Sequence, residues 1–131
     1  MIKVYVKKQS NYPVSTPKIK KRLNDFFEEH GITSKADVYV LLVGEKKAKE
    51  LASKYLGEKD TVHNVLSFPT SEIKTKFVFP PTDNILHLGD IIVCFNKAIE
   101  EAKDENKMID DKVIELLEHG ALHILGIHHK E

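Results

Sequence analysis

Ile2, Val4 and Val6 alternate with Lys3, Tyr5 and Lys7 at the start of the chain. That period of two predicts a strand over residues 2–7 with one face turned inward. The stretch PKIKKRLNDFFEEHG switches to helical spacing. Thr16 is the expected N-cap, Pro17 suits the first helical position, where no amide hydrogen is needed, and Gly31 suits the stop. ADVYVLLVG, residues 36–44, is an unbroken apolar run of strand length, and EKKAKELASKYLG is a second amphipathic helix closed by Gly57. The first half therefore reads βαβα, with parallel strands joined by a crossover helix.

Beyond Gly57 the pattern changes. HNVLSFP and HLGDIIVCF have strand character, and a polar, proline-containing stretch from Thr70 to Asn84 separates them. Pro69 has no amide hydrogen to give to a ladder, so the first of these strands is expected at a sheet edge or leaving the sheet there. A helix is predicted from Asn96 to Asn106. Asp110 or Asp111 is expected to cap a last helix, in which Val113, Ile114, Leu116, Leu117, Leu122 and Ile124 recur at helical spacing. No internal repeat or linker divides the chain, so residues 1–131 read as a single domain.

Composition sharpens this picture. A chain of 131 residues that is 41% hydrophobic can bury one core but not two. There is no apolar run of membrane-spanning length, and MIKVYVKKQS lacks the apolar segment and cleavage site of a leader, so a soluble cytoplasmic protein without a membrane partner is expected. The one cysteine, Cys94, sits in the apolar run DIIVCF and is expected to pack as a small hydrophobe. Net charge is zero but unevenly spread: residues 1–59 carry 13 Lys+Arg against 7 Asp+Glu, and residues 60–131 the reverse. Such asymmetry allows a positive face for a phosphate backbone, although lysines on helices more often only solubilise.

Chemistry concentrates in HGALHILGIHHKE, residues 119–131. His119 and His123 are four apart, on one face of a helix, and can aim at one point. Gly126 suits the left-handed turn that ends a helix, and such a turn brings His128 or His129 to the same point. His119, His123, Gly126 and His129 match the spacing of the metzincin zinc motif, HExxHxxGxxH. Three imidazoles and a water are the open arrangement of catalytic zinc; a structural site would want a fourth protein ligand, for which His128 is the candidate. In metzincin peptidases a glutamate follows the first histidine as general base. Here Gly120 stands there, which argues against peptidase chemistry.

HGALHILGIHH resembles the HGxLHLxGxDH signature of the YbeY family, bacterial zinc-dependent endoribonucleases tied to ribosomal RNA maturation. NVLSFP, residues 64–69, and LGDIIVC, residues 88–94, resemble two further hallmark segments of the family, in the same order. The resemblance implies an α+β, zincin-like domain with a mixed sheet of about four strands and the metal motif on the C-terminal helix. It implies zinc (Zn2+) held by His119, His123 and His129, and hydrolysis of single-stranded RNA in small-subunit rRNA maturation and ribosome quality control. Small-subunit ribosomal proteins are further expected partners. Ser67 and Asp90 would lie near the cleft, with Ser67 a candidate for substrate contact and Asp90 for substrate contact or for orienting backbone near the metal.

Two departures from the family pattern stand out. Family members carry an arginine shortly before NVLSFP, where this chain reads Tyr55, Leu56, Gly57, and its only arginine is Arg22. Lys54 or Lys59 can supply charge there, but not the bidentate fork of a guanidinium. In the second, His128 replaces the usual aspartate before the last histidine; it is a candidate for proton transfer, as is His63. The missing arginine opens an alternative function, a zinc-stabilised ribosome assembly or RNA-binding factor with little nuclease activity.

Overall fold

The computed structural model describes residues 2–70 and 85–126. Among these, four strands form, β1 (Ile2–Lys8), β2 (Ala36–Val43), β3 (Val65–Pro69) and β4 (Leu86–Cys94). Four helices accompany them, α1 (Thr16–Glu29), α2 (Glu45–Leu56), α3 (Phe95–Asp104) and α4 (Ile109–Ile124). His128, His129 and residues 71–84 lie outside the described residues.

The sheet runs in the order β1-β2-β4-β3. β1 pairs β2 and β2 pairs β4 in parallel, whereas β3 pairs β4 antiparallel, so the fold is α+β with a mixed sheet. β3 occupies an edge and ends at Pro69, as the missing amide hydrogen requires.

The two sheet faces are covered unequally. On one, Val4, Val38, Val40, Ile91 and Val93 join the core formed with Ile19, Leu23 and Phe27 of α1 and Val113, Leu117 and Ala121 of α4. On the other, α2 covers one end only, where Val43, Leu66, Ile92 and Cys94 cluster with Ala48. Tyr5 and Tyr39 stay 39% and 47% exposed on the part that no described helix covers.

A bulge in β4 shapes that face. Asp37 pairs with His87, but Tyr39 already pairs with Asp90, so β4 holds one residue more than β2 across this interval. Gly89 takes φ +154°, and a Cβ there would stand 2.6 Å from the Phe68 carbonyl oxygen. Only glycine fits both demands. The extra residue turns His87 and Asp90, three apart in sequence, to one side of the sheet, where His87 Nε2 lies 3.5 Å from Asp90 Oδ1.

Two helix caps differ from the sequence reading. Ser15, not Thr16, caps α1: its hydroxyl accepts from the Lys18 amide, and Pro17 follows within the first turn. α4 begins after Met108 with no side-chain cap, while Asp110 accepts a hydrogen bond from the Ser15 amide and so ties the starts of α1 and α4 together. A carboxylate in the first turn still favours the helix dipole. Tertiary contact thus redirected a residue whose local chemistry suited a cap.

Cys94 is buried, and burial pushes its thiol pKa up, which suits a packing role. Lys112 is the one charged side chain buried among the described residues, and its ammonium reaches Glu101, Glu105 and Glu115 at 2.8–3.2 Å. Burial alone would lower its pKa; hydrogen bonds to the three carboxylates reverse this and raise it. No helix of the described residues is long and apolar enough to cross a membrane.

Candidate metal centre

His119 and His123 lie one turn apart on α4, which packs over β3 and β4. The approach is close because Gly120 has no side chain. A Cβ at Gly120 would meet Ile91 Cγ2 at 2.8 Å and Ser67 Cβ at 3.4 Å. The residue that removes the peptidase base is therefore also the one that lets the histidine-bearing helix reach the sheet.

That proximity delivers a partner to the second histidine. Ser67 and its register partner Ile91 face α4, and Ser67 Oγ lies 2.5 Å from His123 Nδ1. The contact fixes the imidazole plane and occupies Nδ1, so a metal would be taken by Nε2. His119 lines a pocket of about 430 Å³ with Phe26, Asn64, Glu101, Glu118 and Leu122. Asn64 Nδ2 donates to the Glu101 carboxylate at 3.1 Å. Burial raises the pKa of the Glu118 carboxyl, with the Arg22 guanidinium opposing the shift. The chain's one arginine thus acts beside the histidine helix, supplied by α1.

α4 ends at Ile124, and Gly126 adopts φ +78° while its amide donates to the His123 carbonyl at 3.0 Å. The turn expected of this glycine is present. Among the described residues no group of three metal-ligating side chains gathers, and the candidate third ligand, His129, lies outside them together with His128.

The other candidates sit elsewhere. Asp90 lies beside His87 on the sheet face away from α4, although Gly89 packs near Ile124. His63 Nε2 is 2.5 Å from Glu58 Oε1. Leu56, where the arginine was expected, ends α2 half exposed, and Lys54 Nζ lies 5.3 Å from the centre of the Tyr55 ring. Lys59 accepts a hydrogen bond from Thr61 Oγ1 through its carbonyl.

Sequence reasoning missed the Asp37–His87 pair, 2.5 Å apart, and the pocket contribution of Asn64 and Glu101. Neither has a local signature. The first needs β2 paired with β4, and the second needs α3 brought beside the start of β3.

Fold and site define a class: an α+β domain in which a helix presents two histidines, one turn apart, to an edge strand that holds one of them in place. A family model described as Endoribonuclease YbeY matches residues 5–131, and the chain belongs to that family. An Endoribonuclease YbeY of Thermodesulfovibrio yellowstonii is 41% identical over 93 residues, which cover 71% of this chain and 54% of that protein. One from Thermus thermophilus is 34% identical over 88% of this chain and 77% of its own length. The match spans little more than half the length of the Thermodesulfovibrio yellowstonii protein and of an Endoribonuclease YbeY of Wigglesworthia glossinidia brevipalpis, 54% and 57%. A solution structure from Thermotoga maritima superposes with a TM-score of 0.60 at 26% identity, covering 99% of this chain and 75% of that one.

Proposed function

We propose that this protein is a metal-dependent endoribonuclease acting on single-stranded RNA in small-subunit rRNA maturation, with zinc bound by His119, His123 and His129 in a zincin-like arrangement. The observation that carries this reading is the Ser67–His123 contact, with His119 one turn earlier on the same helix. A histidine whose Nδ1 is held by a neighbour is how metal-binding imidazoles are oriented. The donor set, imidazoles with no thiolate, suits zinc.

Zinc bound in this way supplies Lewis acidity and a water whose pKa falls to about 7. The chain's own residues do the rest. With Nδ1–H donating to Ser67 Oγ, His123 would be held in the tautomer that leaves its Nε2 lone pair free for a metal. Gly120 supplies no base, and a metal that lowers the pKa of its water in this way would need no carboxylate adjacent to the first ligand. Glu118, Asn64 and Glu101 line the approach to His119, and His128 is a candidate for moving the proton to the leaving oxygen.

The test compares wild type with His123→Ala for bound zinc and for cleavage of single-stranded RNA. Loss of both is expected, and undiminished zinc and cleavage would sink the proposal. A second reading, an assembly or RNA-binding factor that does not cut, draws on Leu56 standing where the family pattern has arginine. Equal cleavage by wild type and a folded His119→Ala protein would point to a contaminating nuclease and favour it. Cytoplasmic location and ribosomal partners follow from the family reading and stand or fall with it.

A further inference from the structure

The face turned away from α4 has a composition that folding alone does not demand. Strand register places Tyr5 of β1, Tyr39 of β2, Asp90 of β4 and Phe68 of β3 in one row across all four strands. The Tyr5 and Tyr39 ring centres are 5.1 Å apart, Tyr39 and His87 4.9 Å, and Tyr55 of α2 and Phe68 5.3 Å. Both strand tyrosines and Tyr55 are well exposed. They line a groove of about 1030 Å³ between β1 and α2.

Charge around the rings is ordered. Lys3 Nζ lies 5.2 Å from the Tyr5 ring centre, Lys7 lines the groove on the β1 side, and Lys54 stands over Tyr55 on the opposite side. Asp37 and Asp90 flank the two nitrogens of the His87 ring at 2.5 and 3.5 Å. Aromatic faces floored by a sheet and flanked by ammonium groups are what unpaired bases and their phosphates require. Bases in a duplex are stacked on one another and do not offer their faces.

We propose that the face bearing Tyr5, Tyr39, Tyr55 and Phe68 is a platform for single-stranded RNA, stacking about two bases while Lys3, Lys7 and Lys54 meet the phosphates. The choice of RNA rests on the endoribonuclease reading; the choice of a single strand rests on the rings. β3 links the two sites, because Ser67 reaches His123 on one face and the next residue, Phe68, enters the groove on the other. A strand held on this face would reach the histidines by passing round the β3 edge.

The test uses the full chain as purified, with fluorescein-labelled oligouridine, oligoadenine and a blunt RNA duplex as probes. The chain has no tryptophan, and three of its four tyrosines line the groove, so quenching of tyrosine fluorescence by RNA reports the platform directly. Tyr5→Ala/Tyr39→Ala is expected to weaken single-strand binding about 10-fold, whereas Tyr39→Phe stays within about 2-fold, since stacking needs the ring and not the hydroxyl. Lys3→Gln/Lys7→Gln is expected to make the salt dependence shallower, by about 0.7 in slope for each phosphate that is no longer neutralised. Unchanged affinity in the double tyrosine variant overturns the platform, as does equal affinity for duplex. A double tyrosine variant that keeps RNA affinity but loses binding to small-subunit ribosomal proteins marks the face as a protein dock, which also overturns it. Cleavage by wild type and His123→Ala is measured in parallel. RNA that binds through the tyrosines without being cut removes the nuclease reading and leaves the platform; cutting with no tyrosine dependence of binding does the opposite.

Discussion

Substituting Gly120 by alanine sets two effects of known sign against each other. Alanine is the better helix former by about 1 kcal/mol, so on an open helix face the change would stabilise. Here the new methyl would lie 2.8 Å from Ile91 Cγ2. That atom is a branch methyl on a stiff side chain, Ile91 is fully buried, and β4 is hydrogen-bonded to β2 on one side and β3 on the other. Neither the methyl nor the strand can retreat, so α4 must move off the sheet by roughly half an ångström, at a cost of about 1–3 kcal/mol for overpacking. The cost exceeds the helix gain by about 1 kcal/mol in the middle of that range. A melting temperature about 3–4 °C lower is then expected for a 131-residue chain. Thermal denaturation of the metal-free protein measures this without involving zinc. The displacement also stretches the Ser67–His123 contact, and a site loosened by about 0.5 Å loses affinity, so zinc should bind about 10-fold more weakly. A Gly120→Ala protein that melts higher than wild type and binds zinc equally well would refute the claim that this glycine exists for close approach.

Ser67→Ala removes the hydroxyl at His123 Nδ1 and should weaken zinc by about 10- to 100-fold, with a melting temperature close to wild type in chelator; competition with a chromophoric chelator reads it, and unchanged affinity would deny Ser67 its orienting role. Gly89→Ala forces a side chain onto φ +154° and against the Phe68 carbonyl, so a loss of about 2–4 kcal/mol is expected in urea denaturation; a loss below about 0.5 kcal/mol would mean that the bulge yields easily. Lys112→Met leaves three carboxylates facing one another and should destabilise at neutral pH. Hydrogen bonds from the two lysines, chiefly Lys112 for Glu105 and Lys107 for Glu115, hold both carboxyls below the ordinary 4.5. Their stabilising contribution is thus present above pH 4.5 and lost as pH falls through the lower folded values. The gap between wild type and Lys112→Met should therefore narrow in acid, and a gap as wide at pH 3 as at pH 7 would contradict the network.

Much of the fold was legible because its signals are local. The alternation in residues 2–7, the run at 36–44, the glycines closing α1 and α2, and Pro69 at the end of β3 each encode a backbone state within a few residues. The same holds for the two histidines on one face of α4, which the helical period alone brings together. What stayed hidden involves pairs distant in sequence. Asp110 satisfies the amide of Ser15 and does not cap its own helix, a choice made by the packing of α4 on α1. Ser67 belongs to His123 because β3 pairs antiparallel with β4 beneath Gly120, and no pattern in LSFP announces it.

The sequence by itself determined the elements, their order, and which histidines share a helix face, since periodicity and turn chemistry act over one or two turns of chain. Only the tertiary structure decided that Gly120 is a contact surface, that Asp90 turns away from α4, and that tyrosines from the first two strands meet lysines in an open groove. Strand register and a one-residue bulge fix those placements, and both are set by hydrogen bonds between residues about fifty positions apart in sequence.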